Sequence, residues 1–326
     1  MKRTILALAV SALLTSTAYA ENIGVSMAKF DDNFLTVLRN GMADYAKGKT
    51  GVNLQIEDAT NDVGKQLSQI QNFIAQKVDA IIVNPVDTDA TPKMTQLAVE
   101  AKIPLVFVNR DVPELDCDMV GVDYERGSYE ATSHLIAGGA RRLLLLEEDL
   151  PITTTADRIT GFRRAMSDAG LKVSDDQVRA VPTKRYDSLA LPWQPEEAYR
   201  FAQTLLTDGH PDGVVTGNDY FALGLLRALA ERDLAVPGDV AITGYGDHPY
   251  AAYLQTPLTT VRLPAAEVGT TAVDLLLQRL RSSGERPRKI LIRPELVIRA
   301  SAPTARPSQP SAESTAPPAA AATRQL

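Results

Sequence analysis

Apolar residues recur along this chain in two alternating rhythms. Short runs with almost every position apolar (22–27, 52–56, 80–83 and 105–108) are separated by longer stretches whose apolar residues return every three or four positions. Short continuous runs fit strands covered on both faces, and the longer spacing fits amphipathic helices, so the alternation predicts a parallel sheet flanked by helices. In residues 63–78, Val63, Leu67, Ile70, Ile74 and Val78 form one stripe, predicted to face the sheet and leave Lys65, Gln69 and Gln76 to solvent. The rhythm resumes after residue 120, with strands predicted at 143–146, 178–181, 213–216 and 240–243 and helices near 126–138, 156–169, 195–207 and 219–232. Val268, Thr271, Leu275 and Leu276 mark a last helix, followed by closing strands at 290–292 and 296–298 on either side of Pro294. The second half repeats the architecture of the first without repeating its sequence.

The two ends depart from this pattern. Lys2 and Arg3, an apolar stretch from Ile5 to Leu14 and small residues at Ala18 and Ala20 have the form of an export signal cleaved after Ala20. The stretch is too short to span a bilayer, and the residue after Ala20 is not a cysteine that could carry a lipid, so a free periplasmic protein is expected. Residues 301–326, mostly Ala, Pro and Ser, hold too little large apolar surface to offset ordering entropy and are expected to form a disordered tail.

Composition narrows the function. The 326 residues carry 34 basic and 40 acidic side chains, a formal charge of −6. Loss of Lys2 and Arg3 with the leader leaves 32 against 40, a surface that repels nucleic acid and anionic lipid. At 44% hydrophobic residues the chain can build two cores, and the single Cys117 rules out an internal disulfide. Through Arg110 there are eight lysines and three arginines, and beyond it three lysines and twenty arginines, which suggests a joint between segments of different origin near 110–123. His134, His210 and His248 are scattered without ligand spacing, so no metal or other cofactor is expected. Gly48, Lys49 and Thr50 imitate the end of a phosphate loop, but Ala43 stands where its first glycine belongs, and no G-x-S-x-G elbow occurs. The protein is not expected to be an enzyme.

Several long strings carry a family resemblance. FDDNFLTVLRNGM (30–42), QLSQIQNFIAQKVDAIIVNPVDTDA (66–90) and IPLVFVNRD (103–111) resemble periplasmic sugar-binding proteins of the ribose type, with those for inositol and rhizopine nearest in appearance. DRITGFRRAM (157–166), GNDYFALGLLRAL (217–229), VPGDVAITGYGD (236–247) and PLTTVR (257–262) resemble the effector-binding core of the lactose- and galactose-repressor family, without its DNA-reading headpiece. Both families share one fold. The resemblance implies an α/β protein of two similar doubly wound parallel-sheet lobes joined by a three-stranded hinge, the type I periplasmic-binding-protein architecture. Its implied boundaries are 21–122 with 264–288 for the N-terminal lobe and 123–263 with 289–300 for the C-terminal lobe. Ligand is then held between the lobes, at the carboxyl ends of the strands.

A buried polyol needs every hydroxyl paired and an aromatic face against its ring, so carboxylates, amides, guanidinium and aromatic side chains are the expected lining. The resemblance places Asp32, Phe34, Asn109 and Arg110 on ligand contacts in the first lobe, with Phe30 a further candidate in the same loop; in the second lobe it places Asn218 and Trp193 on ligand contacts, and Tyr245 and Asp247, at a strand end within GYGD, are candidates for lining the hinge. The residues alone leave other readings open: Asp31, Asp32, Asn218 and Asp219 fit helix capping, Phe34 fits core packing, Trp193 fits either use, and Asp87 and Asp89 fit a cap or the rim. Ala156, Gly246 and Leu263 stand where the repressor pattern carries polar effector contacts, so neither parent ligand transfers to the whole chain. The expected function is a monomeric periplasmic solute-binding protein that delivers a sugar or cyclitol to a membrane ABC permease, with no nucleic-acid partner. The alternatives are an extracytoplasmic sugar sensor, or a chimeric repressor-like core with altered ligand.

Overall fold

A computed structural model describes residues 20–112, 115–149, 152–182, 195–206, 209–282 and 285–304. Residues 1–19, Trp193 and the chain from 305 onward lie outside the described residues. Two compact units emerge, unit 1 comprising 20–120 with 265–290 and unit 2 comprising 121–264 with 291–304.

Unit 1 is built from β1 (Glu21–Met27), α1 (Asn33–Lys47), β2 (Val52–Asp58), α2 (Val63–Gln76), β3 (Ala80–Val83), α3 (Thr91–Glu100), β4 (Leu105–Val108) and β5 (Asp118–Val122). Unit 2 holds α4 (Tyr124–Ala137), β6 (Leu143–Glu148), α5 (Thr153–Asp168), β7 (Val178–Val181), α6 (Pro195–Leu205), β8 (Gly213–Thr216), α7 (Asp219–Ala230), β9 (Ala241–Gly246) and β10 (Thr259–Arg262). The chain then returns through α8 (Ala265–Arg281) and ends in β11 (Lys289–Ile292) and β12 (Glu295–Val297).

The first sheet runs β2-β1-β3-β4-β5-β11 and the second β7-β6-β8-β9-β10-β12. Pairings from β2 to β5 and from β7 to β10 are parallel, and β12 lies antiparallel to β10. These are the expected doubly wound sheets. Two strands, β5 and β10, were not anticipated, because each is short and reads as a Gly- or Thr-rich connection when its neighbours are unknown. The closing strands also divide differently from the expectation: β11 joins the first sheet, where Met119 N–H donates to Arg288 O at 2.9 Å and Lys289 pairs with Asp111 at 2.8 Å.

Helix starts follow local chemistry. Asp32, Asp62, Asp123 and Asn218 cap α1, α2, α4 and α7, each side chain accepting a hydrogen bond from the backbone N–H three residues on. On α2, Ile70 and Phe73 are buried, and Gly24 of β1 makes room for the Phe73 ring, which would lie 2.5 Å from any Cβ there. Burying such a ring stabilises the unit by about 1.5–3 kcal/mol. Gln69, expected outside, is buried instead, because its carbonyl accepts a 2.6 Å bond from the Ser26 hydroxyl of β1. Ser301 and Ala302, expected in the tail, are buried in unit 2: the Ser301 hydroxyl donates to Ile242 O and accepts from Thr259 N–H, which ties the chain to β9 and β10.

Candidate binding edges

In the first sheet the chain leaves β1 toward β2 on one side and reaches β3 on the other, so the carboxyl ends of β1 and β3 flank the point where the winding reverses. Open α/β sheets bind ligands at such a point, outside the carboxyl ends of the strands. The loop after β1 carries buried Lys29, half-buried Phe30 and Asp32, and then Phe34 in the first turn of α1. Asp32 caps α1 through Leu35 N–H at 2.9 Å, the Arg39 guanidinium sits 4.4 Å from the centre of the Phe30 ring, and Lys29 lies 3.7 Å from exposed Asp31.

At the end of β4, Asn109 takes a left-handed φ of 68° and Arg110 N–H folds back onto Val108 O at 2.8 Å. Asparagine tolerates this tight turn better than most residues. The turn sends the buried Arg110 along the edge, where Nη1 donates to Pro85 O and Val86 O at 2.7 and 2.9 Å. Between these loops, the Asn84 amide after β3 donates to Val108 O and accepts from Ala28 N–H, while Gln66 donates to Ser26 Oγ and to Asn84 O. This buried amide network locks the ends of β1, β3 and β4 together. It was missed in the sequence, where Gln66, Gln69 and Asn84 resemble ordinary surface amides. Asp87 accepts from the N–H groups of Asp89 and Ala90, a turn ahead of α3, and Asp89 is exposed.

The second sheet reverses its winding between β6 and β8. Here β6 ends in two buried acids. Arg158 of α5 forms a fork on Glu147, with Nη2 at 2.7 Å and Nε at 2.9 Å, and reaches Glu148 at 3.7 Å. Burial works against the Arg158 charge, but Glu147 more than reverses this, so its pKa is raised. Asn218 caps α7 through Phe221 N–H and donates its amide to Glu148 Oε1 at 3.2 Å, so its capping and edge roles coincide. The string LLLLEED, an apolar strand ending in paired acids, was the available signal for this cluster.

Tyr245 and Asp247 have internal partners. The Tyr245 hydroxyl donates to Tyr124 O at 3.1 Å, its ring packs near Tyr124 and Arg158, and burial holds its pKa well above the usual phenol value. The Asp247 carboxylate is held by Arg262 and Arg299, each at 2.7 Å. Of the anticipated residues, the structure gathers Phe30, Asp32, Phe34, Asn109 and Arg110 on the first sheet's carboxyl edge, and Asn218 and Asp247 on that of the second, with Tyr245 packed behind.

Comparison with known proteins agrees with this architecture. Residues 23–286 match the periplasmic binding protein domain. A Rhizobium meliloti protein named for rhizopine binding is 38% identical over 315 residues, covering 92% of this chain and 97% of that one, so both halves take part in the match. The transcriptional repressor PurR of Pasteurella multocida is 30% identical over 254 residues, 78% of this chain and 73% of the repressor. Among solved structures, the regulator CcpA of Lactococcus lactis shares the fold with a TM-score of 0.74 at 22% identity, covering 86% of this chain and 99% of that one. A LacI-family regulator of Enterococcus faecium with bound ribose superposes with a TM-score of 0.70 at 25% identity, covering 87% and 99%. Two doubly wound units with polar carboxyl edges, and a domain match across most of the length, lead to one conclusion: the chain belongs to the periplasmic binding protein domain family.

Proposed function

We propose that the protein is a solute-binding protein of the periplasm, which captures a sugar or cyclitol on the polar carboxyl edges of its two sheets and delivers it to a membrane ABC permease. The observation that carries this reading is the 38% identity over 97% of a relative named for rhizopine binding. The edges supply suitable chemistry. Arg110, Asn109 and Lys29 in unit 1 and Asn218 with Glu148 in unit 2 are donors and acceptors at strand ends, where a ligand hydroxyl is paired as it leaves water. The leader-like first twenty residues support a place outside the cytoplasm. The LacI-family regulator solved with bound ribose favours the same small-molecule chemistry put to a regulatory end, and the formal charge of −6 weighs against a nucleic-acid partner.

The test is a thermal-shift screen of the purified protein with pentoses, hexoses, inositols and amino sugars, followed by calorimetry on the hits. A saturable hit of about micromolar affinity, near 8 kcal/mol, supports the reading. Silence across the panel would refute it. Delivery is tested separately by uptake of the hit into cells with and without the gene.

A further inference from the structure

Next to Asn218 on the carboxyl edge of unit 2 stand Tyr220, His248 and Tyr250, arranged around the fully buried carboxylate of Asp219. Asp219 Oδ1 accepts from the Thr260 hydroxyl at 2.6 Å, and Oδ2 accepts from the His248 backbone N–H at 2.7 Å and lies 3.3 Å from His248 Nδ1. In a neutral imidazole one nitrogen carries the proton and the other accepts, and a carboxylate beside Nδ1 places the proton there. The lone pair is then on Nε2. That atom has no partner among the described residues and is not closed off from solvent.

The Tyr250 hydroxyl is in the opposite condition. It is buried without a hydrogen-bond partner among the described residues, and burial together with the nearby Asp219 charge pushes its pKa up and keeps it a donor. The three rings form one patch, with centroids 4.6 Å apart for Tyr220 and His248, 5.7 Å for Tyr220 and Tyr250, and 5.6 Å for His248 and Tyr250.

We propose that His248 and Tyr250 form a polyol-binding subsite of unit 2, with Nε2 of His248 accepting one ligand hydroxyl, the Tyr250 hydroxyl donating to its neighbour, and Tyr220 lying against the ring carbons. Asp219 is the positioning residue that holds the imidazole in the accepting tautomer. The inference rests on the reading that this edge binds a sugar or cyclitol. An acceptor and a donor carried on rings whose centroids lie 5.6 Å apart suit a 1,2-diol, in which each oxygen can give one proton and take another. An anion is disfavoured by the adjacent Asp219 charge. The other groups facing the imidazole are Tyr220 from α7 and Tyr250 from the turn after β9, while the nearby Asp247 is neutralised by Arg262 and Arg299.

The experiment uses D-ribose, myo-inositol and D-glucosamine as calorimetric probes on the full-length protein and two variants. Tyr250→Phe removes only the unpartnered hydroxyl, so affinity falls about tenfold while the melting temperature of the free protein stays level or rises. His248→Ala loses about tenfold as well, because the ligand hydroxyl then has no acceptor at that position. Long-range proton–nitrogen NMR of the free protein reads the tautomer directly. Nitrogen NMR placing the proton on Nε2, or a Tyr250→Phe protein that binds a probe as the wild type does, overturns the subsite alone. Failure of the wild type to bind any probe overturns the parent reading and the subsite with it.

Discussion

Replacing Arg158 by Met is the sharpest test of how the second binding edge is held. The guanidinium is 6% exposed and its partner Glu147 is 1% exposed, so the variant leaves that carboxylate, and Glu148 beside it, in a closed site with a thioether in place of two charge-assisted hydrogen bonds. Removing one partner of a buried ion pair costs about 3–5 kcal/mol, chiefly from the uncompensated charge. For a unit of this size that lowers the melting temperature by roughly 6–20 °C. The double variant Glu147→Leu with Arg158→Met removes both charges and should recover most of the loss, since an apolar pair of similar volume is often as stable as the ion pair it replaces. Urea unfolding of wild type, both single variants and the double variant gives the coupling as a thermodynamic cycle, expected at about 2–3 kcal/mol. A loss below about 1 kcal/mol in Arg158→Met, or a double variant no better than the singles, would refute the view that this pair is what lets two acids stand at the end of β6.

Other consequences are simpler to check. Arg110→Ala should weaken probe binding at least about tenfold by calorimetry, and Arg110→Lys should not restore it, because an ammonium cannot hold Pro85 O and Val86 O and still present a planar fork. Gly161→Ala should destabilise by about 1–3 kcal/mol in urea melts, because a methyl there would strike the Glu125 backbone carbonyl where α5 crosses α4. Although partial burial opposes it, hydrogen bonds from the Arg142 side chain and from the Arg141 and Arg142 amides hold the Asp212 carboxyl below its usual value. A lowered folded-state pKa contributes stability above the unfolded-state value that is lost as pH falls through the folded one. Asp212→Asn should therefore melt lower than wild type at neutral pH, and the difference should close in acid, below the ordinary carboxylate range.

Much of the candidate site was legible because strand ends are chemically marked. VFVNRD ends an apolar run in an amide and a guanidinium, and Asn109 and Arg110 stand at the carboxyl edge as that pattern suggests. Capping residues were legible for the same reason, since Asp32 and Asn218 precede helical periods directly. Other residues were not. Tyr245 and Asp247 share the GYGD string, yet one is packed against Arg158 and the other held by two arginines, one of them 52 residues away. Gln66, Gln69 and Asn84 looked like solvent-facing amides until Ser26, 40 or more residues distant, came to lie beside two of them. His248 gave no signal, because its role depends on a carboxylate 29 residues earlier.

The division has a physical basis. Alternating apolar periods and cap residues act over one or two turns, so the sequence by itself determined two parallel-sheet halves and the loops in which binding chemistry collects. Hydrogen-bond partners, burial of charge and the facing of rings depend on which strands become neighbours. Only the tertiary structure decided which polar side chains fasten the edges.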